Sequence, residues 1–320
     1  MTMTQKKKLK IGVVGIGHLG SYHLQKYAKI DSCEITAVSD TQPDKAMKAA
    51  ELYACPGFSD HRALIGKVDA VSIAVPTGFH HAVARDFLAA GIDVLIEKPI
   101  CSTVEEADDL LALAEKNKLV FQVGFVERFN PAVMALDKVI TRPVFIEVHR
   151  LHPFFERGTD VDVILDLMIH DLDIILKFVH SPLTNVEAVG VPILSDKIDI
   201  SNVRLSFACG CIANITASRI SAKTMQKLRF FGPEGYHAVD TRKREILSLT
   251  KITNGEGKQQ IVQNNIEVGS HDPLEEEIRA FVEAVQTRCA PPVTGEDGRR
   301  ALALAVEILQ KMKTHEDIQL

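Results

Sequence analysis

Between residue 9 and about residue 124, short β-branched runs alternate with stretches whose apolar residues recur at helical spacing. The runs 10–16, 33–40, 68–75, 92–98 and 119–125 predict strands, and the stretches 18–30, 43–53, 78–90 and 103–117 predict helices. Thr103 and Glu106 have the spacing of a capping box, in which each side chain satisfies the other residue's backbone N–H at a helix start. The strands are apolar almost throughout instead of alternating. Both faces of their sheet must therefore be covered, and helices between successive strands make that sheet parallel and doubly wound.

After about residue 126 the rhythm changes. A long apolar stretch, 161–179, predicts one helix, followed by runs at 184–192, 200–208, 211–219, 226–232, 236–239, 245–252 and 260–268. Several of these alternate apolar with polar residues, and turn-forming stretches such as FGPEGY and TNGEG separate them. They predict a largely antiparallel sheet with one face left to solvent or a partner. Cys209-Gly210-Cys211 falls inside this alternation and reads as strand chemistry around a turn or bulge. Helices return at 273–288 and 296–313. The expected fold class is α/β: a doubly wound parallel sheet over residues 1–126, then an α+β domain with a large open, mostly antiparallel sheet over residues 127–320.

Composition narrows the function classes. At 320 residues the chain suits two domains, each large enough for its own core. A net charge of −5, with 46% hydrophobic and 25% charged residues, describes an ordinary globular protein without a basic footprint for nucleic acid. The basic run KKKLK at 6–10 is followed by IGVVGIG, too short and too glycine-rich for a signal peptide or membrane span, so a soluble, cytoplasmic protein is expected. Six scattered cysteines with no C-x-x-C pair argue against a disulfide scaffold or a zinc ribbon.

Candidate chemistry begins at Gly15-x-Gly17-x-x-Gly20, which follows a strand and opens a helix, with Asp40 ending the second strand twenty residues later. This is the arrangement of a dinucleotide site. Gly15 allows the tight turn, Gly17 lets the backbone approach a pyrophosphate, and Gly20 lets helix and strand pack closely. Amides of the helix start, at His18 and Leu19, then hold the phosphates. Asp40 suits a ribose diol and repels a 2'-phosphate, and no arginine follows it in SDTQPDK, so NAD is expected over NADP. Ligands of such sheets lie across the carboxyl ends of the strands. Two stretches end there: AVPTGFHH with Pro76, Thr77 and His80, and IEKP with Glu97 and Lys98.

The predicted helix 161–179 is apolar nearly all round, yet Asp162, Asp166, His170 and Asp173 follow at spacings of four, four and three. Those offsets stack them on one face. Burying such a stripe unpaired costs several kcal/mol, so ion pairs, a metal or a substrate must offset it. No HExxH or compact third ligand accompanies the stripe, and no metal is expected. Asp171 should point away from the His170 face, toward a capping or ion-pair role.

The fingerprint GIGHLG, the stretch from Val75 to His80 (V-P-T-x-x-H), the Glu97-Lys98-Pro99 tripeptide and Asp166-x-x-x-His170 together resemble the glucose-fructose oxidoreductase, inositol dehydrogenase and rhizopine-catabolism family. The resemblance spans nearly the whole chain. It implies a Rossmann domain followed by a substrate domain whose open sheet serves oligomer contacts, in a homodimer or homotetramer. It also implies that Lys98, Asp166 and His170 line the place where a sugar or cyclitol hydroxyl is oxidised. An alcohol oxidation needs a proton acceptor, and histidine titrates near working pH, so His170 takes that role. Asp166 orients it or the substrate, and Lys98 favours developing alkoxide charge.

GFVERFNPAV brings Arg128 into the second domain, where it can meet a diphosphate or carboxylate of the substrate bidentately, or pair with Glu127 or a nearby acid. Arg242, Lys243 and Arg244 can meet phosphates or stand as a hairpin of solvated charges. These stretches resemble members acting on nucleotide-activated amino sugars. The rivals are a free cyclitol or monosaccharide dehydrogenase, and a regulator that binds dinucleotide without turnover.

Overall fold

The computed structural model describes residues 8–154, 161–233 and 235–313. Asp160, at the head of the acidic stretch, and Lys6 and Lys7 of the basic run lie outside the described residues. The chain divides into two compact units. One gathers the chain up to Val126 with Asp272–Arg299, and the other holds Glu127–His271 with the stretch from Arg300.

Among the described residues the first unit has a six-stranded parallel sheet built from β1 (Leu9–Val14), β2 (Cys33–Ser39), β3 (Gly57–Phe58), β4 (Ala70–Ile73), β5 (Asp93–Glu97) and β6 (Phe121–Gly124). Its order is β3-β2-β1-β4-β5-β6, so chain direction across the sheet reverses between β1 and β4. The helices α1 (His18–Tyr27), α2 (Pro43–Leu52), α3 (His80–Ala89) and α4 (Val104–Asn117) alternate with the strands. Central residues such as Ile11, Val13, Ile73 and Leu95 have no solvent exposure, as sheet residues covered on both faces must. The capping box forms: Thr103 Oγ1 accepts the Glu106 N–H at 3.2 Å, and the Glu106 carboxylate accepts the Thr103 N–H at 3.3 Å. The two-residue edge strand β3 has no periodicity to betray it. Gly57 is required there, because a Cβ would stand 2.8 Å from the Ala46 carbonyl oxygen.

The expected boundary, with everything from 127 to 320 in the second domain, is corrected at 272–299. In the series that continues with α5 to α8 below, α7 (Pro273–Thr287) packs Ile278, Phe281, Val282 and Val285 into the same core as Ile11, Val13, Leu24, Tyr27 and Leu95. The helical stripe was legible, but a stripe does not say which sheet it covers.

In the second unit, the described strands are β7 (Phe145–Leu151), β8 (Leu183–Val191), β9 (Ile200–Phe207), β10 (Ile212–Ser218), β11 (Met225–Gly232), β12 (Gly235–Asp240), β13 (Glu245–Thr253), β14 (Gln259–Asn264) and β15 (Met312–Lys313). They form a sheet of order β14-β13-β12-β11-β7-β10-β9-β8-β15. It is antiparallel except where β7 meets β10 and β15 meets β8. Gly210, at φ +87°, makes the turn between β9 and β10 where the two cysteines were expected around a turn or bulge.

One face carries Ile146, Val148, Val203, Leu205, Ile215, Leu228 and Phe230 into a core shared with α6 (Ile169–Phe178), α5 (Pro131–Leu136) and the second half of α8 (Gly295–Lys311). The other face is mixed: Glu147 pairs with Arg229 at 2.6 Å, Arg204 donates to Asn214 at 3.0 Å, and Asn202 donates to Thr216 at 2.9 Å, while Phe145, Phe231 and Tyr236 pack ring against ring beside them. Among the described residues no helix is long and apolar enough to cross a membrane.

The single helix expected over 161–179 is two pieces, a π-helical turn at Ile164–Met168 and then α6. Its i→i+5 turn is wider than an α-turn, so residues before it are rotated relative to a uniform helix. The acids predicted to form one straight stripe are therefore distributed among separate partners.

Candidate active site

The strand-to-helix turn of the first unit shows the steric reasons for its glycines. Gly15 has φ +88°, a left-handed conformation that favours glycine, and a Cβ there would lie 2.6 Å from the Ala74 carbonyl oxygen. At Gly20 a Cβ would sit 1.8 Å from the Gly15 carbonyl oxygen. At Gly17 it would meet nothing within 4 Å, so that glycine keeps open space in front of the start of α1. No side chain caps the first turn of α1, whose amides at His18 and Leu19 fit a pyrophosphate.

Asp40, at the end of β2, accepts the Ile16 N–H at 2.7 Å on one carboxylate oxygen and the Gln42 N–H at 2.8 Å on the other. The same carboxylate thus fixes the glycine turn and keeps acceptor capacity for a ribose diol. The residues present fit NAD. Asp40→Ser is expected to raise KM for NAD by about tenfold or more, since a buried-side acceptor is lost, while KM for NADP falls or stays level. Steady-state kinetics with both cofactors checks this.

Pro76 and Thr77 stand in the short turn after β4, beside β1 where the strand order reverses. His80, expected among the cofactor contacts, is instead buried at 1% exposure. Its Nδ1 lies 2.8 Å from the Pro99 carbonyl oxygen and its Nε2 2.9 Å from that of Val75, so the ring braces the ends of β4 and β5 against each other. Burial pushes its pKa down, against the opposing hydrogen bonds to those carbonyls. Glu97 is likewise a brace. It is 8% exposed, accepts from His23 Nε2 at 3.0 Å and accepts the Lys98 backbone N–H at 3.2 Å. Burial alone would raise its carboxyl; the His23 hydrogen bond and charge, then the Lys98 charge, hold it below the usual carboxylate range. Lys98 itself is half-buried.

His23 is a residue that sequence reasoning missed. It follows Gly20 by three positions on the buried face of α1, and its partner lies 74 residues away, beyond the reach of any local pattern. Glu277 on α7 is a second. It has no solvent exposure, and neither carboxyl oxygen has a hydrogen-bond partner. Burial, and then the charge of Glu97, push its carboxyl well above the ordinary range. A folded-state value above the unfolded one favours the folded state below the unfolded carboxyl range and loses stability as pH rises toward the folded value. Glu277→Gln cannot ionise and escapes that loss. Its melting-temperature advantage over the parent chain should grow between about pH 5 and about pH 8, as thermal melts across that range will read.

In the second unit, Asp166 stands in the π-helical turn and His170 in the first turn of α6, both half-buried. Their neighbours in the acidic stretch have other work. Asp162 accepts the Ile198 N–H at 2.9 Å. Asp171 takes Arg150 bidentately, 2.8 Å to each oxygen, and Glu127 adds a third contact to Arg150 at 3.1 Å. Asp173 takes Arg128 bidentately at 2.6 and 2.8 Å. The substrate-facing role expected for Arg128 is thus corrected to the pairing alternative: its fork holds Asp173, and it is 9% exposed. Arg242, Lys243 and Arg244 form the exposed turn between β12 and β13, the solvated-hairpin alternative.

Comparison with known proteins agrees with this architecture. Residues 9–125 match the oxidoreductase family with an NAD-binding Rossmann fold, and residues 138–237 match the GFO/IDH/MocA C-terminal domain. UDP-N-acetylglucosamine 3-dehydrogenase of Acidithiobacillus ferrooxidans is 35% identical over 302 residues, 94% of this chain and 96% of that protein. A solved structure of that enzyme superimposes with a TM-score of 0.89 at 34% identity, covering 96% of this chain and 98% of the other. Myo-inositol 2-dehydrogenase of Thermotoga maritima is 24% identical over 331 residues, 98% of each chain. With its glycine turn, Asp40 and parallel sheet in one unit and the open sheet in the other, the chain belongs to the glucose-fructose oxidoreductase, inositol dehydrogenase and rhizopine-catabolism family of NAD-binding oxidoreductases, acting on CH–OH groups.

Proposed function

We propose that this chain oxidises the 3-hydroxyl of UDP-N-acetylglucosamine to a ketone with NAD as hydride acceptor. The observation that carries the reading is the 35% identity, over 94% of the chain, to an enzyme of that name. The retained Lys98, Asp166 and His170 support turnover over a regulator that only senses dinucleotide. NAD, when bound, supplies the hydride acceptor. In this reading His170 takes the hydroxyl proton, Asp166 stabilises the imidazolium that results, and Lys98 hydrogen-bonds the reacting oxygen as negative charge develops on it. Asp171 and Asp173, held by arginines, stay out of the chemistry and fix the helix that carries His170. The product is a 3-keto sugar nucleotide, a substrate suited to an aminotransferase. We also assign the outward face of the nine-stranded sheet, away from its helices, to contacts in a homodimer or homotetramer.

The second reading, a free cyclitol dehydrogenase, is favoured by the similarity to the inositol enzyme along 98% of the chain. The test is incubation with NAD and a panel of UDP-sugars, free sugars and inositols while reduced cofactor is followed by absorbance. Turnover confined to UDP-N-acetylglucosamine is expected. Turnover with an inositol alone favours the second reading, and no turnover with any polyol favours a regulator.

A further inference from the structure

Glu97 ends β5 one residue before Lys98, and its two oxygens are used differently. One accepts from His23 Nε2 at 3.0 Å, and the other accepts the Lys98 backbone N–H at 3.2 Å. Gly124, its register partner on β6, packs close against it: a Cβ there would lie 3.2 Å from both the Glu97 Cα and a carboxylate oxygen, tighter than ordinary contact. His23 has no solvent exposure, and its Nδ1 is buried without a hydrogen-bond partner, so the Glu97 contact is its polar attachment. A single buried hydrogen bond therefore ties α1, the helix that opens at the glycine turn, to the end of β5 that bears Lys98. The strand that leads into α1, β1, is separated from β5 by β4, so the bond ties to β5 a helix whose own strand does not pair with it.

A buried charge-assisted hydrogen bond is worth more than an exposed one, and removing one partner leaves the other charge stranded. Without the histidine, Glu97 would turn toward another donor or take up a proton, and in either state its hold on the Lys98 amide weakens. We infer that His23 is a positioning residue: through Glu97 it fixes the backbone of Lys98, and so the direction in which the lysine side chain leaves the strand. The inference rests on the proposed role of Lys98 in the reaction. It also couples that residue to the cofactor turn, because α1 carries both the pyrophosphate amides and His23.

The test compares His23→Leu, which removes the donor, with His23→Gln, whose amide nitrogen reaches about as far as Nε2, and His23→Asn, whose amide falls short. For His23→Leu and His23→Asn, kcat should drop by roughly 10- to 100-fold, the scale of a misplaced reacting group. KM for NAD should stay within about threefold of the parent value, and His23→Gln should recover most of kcat. A readout that needs no substrate is amide hydrogen exchange in the peptide containing Lys98. It should quicken by about tenfold or more in His23→Leu and His23→Asn and return toward the parent rate in His23→Gln.

Full kcat in His23→Leu, a loss lying wholly in NAD affinity, unchanged exchange at Lys98, or a glutamine variant no better than asparagine would each overturn the inference. If the leucine variant does not fold, the glutamine and asparagine pair decides it. Lys98→Met separates the two levels. An active Lys98→Met overturns the role of Lys98 and the inference with it, whereas an inactive Lys98→Met beside a fully active His23→Leu overturns the inference alone.

Discussion

His170→Ala is expected to lower kcat by about 10²- to 10⁴-fold, the range for loss of a positioned general base, while the Kd for NAD stays within about twofold. The separation follows from where the residues lie. The glycine turn and Asp40 belong to the first unit, and His170 belongs to α6 of the second. Calorimetric titration with NAD gives the affinity and a stopped assay gives the rate. Undiminished turnover in this variant would remove the histidine from the chemistry.

Arg150→Met is expected to destabilise the second unit by about 3–5 kcal/mol, because it leaves the Asp171 carboxylate buried without its bidentate partner. Arg150 is 4% exposed and Asp171 has no exposure, so water cannot replace the guanidinium. The double variant Arg150→Met/Asp171→Leu should recover most of that loss, since replacing a buried ion pair by apolar groups of similar volume is often neutral or better. Urea denaturation of the parent, both single variants and the double variant gives the coupling energy directly. A loss in the double variant equal to the sum of the two single losses would mean that the pair contributes nothing specific.

The same ion pair explains why parts of the fold escaped a reading of the sequence. Strand β7 alternates Ile146 and Val148 with Glu147 and His149, but its next inward position is Arg150, a charge where the pattern asks for an apolar residue. Asp171, on a helix 21 residues further on, and Glu127, 23 residues earlier, make that position acceptable. The π-helical turn was hidden for a related reason, since nothing in the run ILDLM distinguishes a wide turn from an α-turn.

What was legible depended on local chemistry. The glycine spacing, Asp40, the Thr103 capping box and the change from covered to alternating strands are each determined within a few residues or one supersecondary unit. The roles of His80, Glu97 and Arg128 were not, because their partners lie 19, 74 and 45 residues away. Sequence motifs singled these residues out. Burial and pairing show that each braces its own unit.

The most direct test of the whole account follows the hydride itself. UDP-N-acetylglucosamine carrying deuterium at C3 is incubated with the protein and NAD, and the reduced cofactor is examined by mass spectrometry, with substrates labelled at C2 and C4 as comparison. The account predicts deuterium on the reduced cofactor from the C3-labelled sugar and from neither of the others. Transfer from C4, or reduced cofactor without deuterium from the C3-labelled sugar, would contradict it.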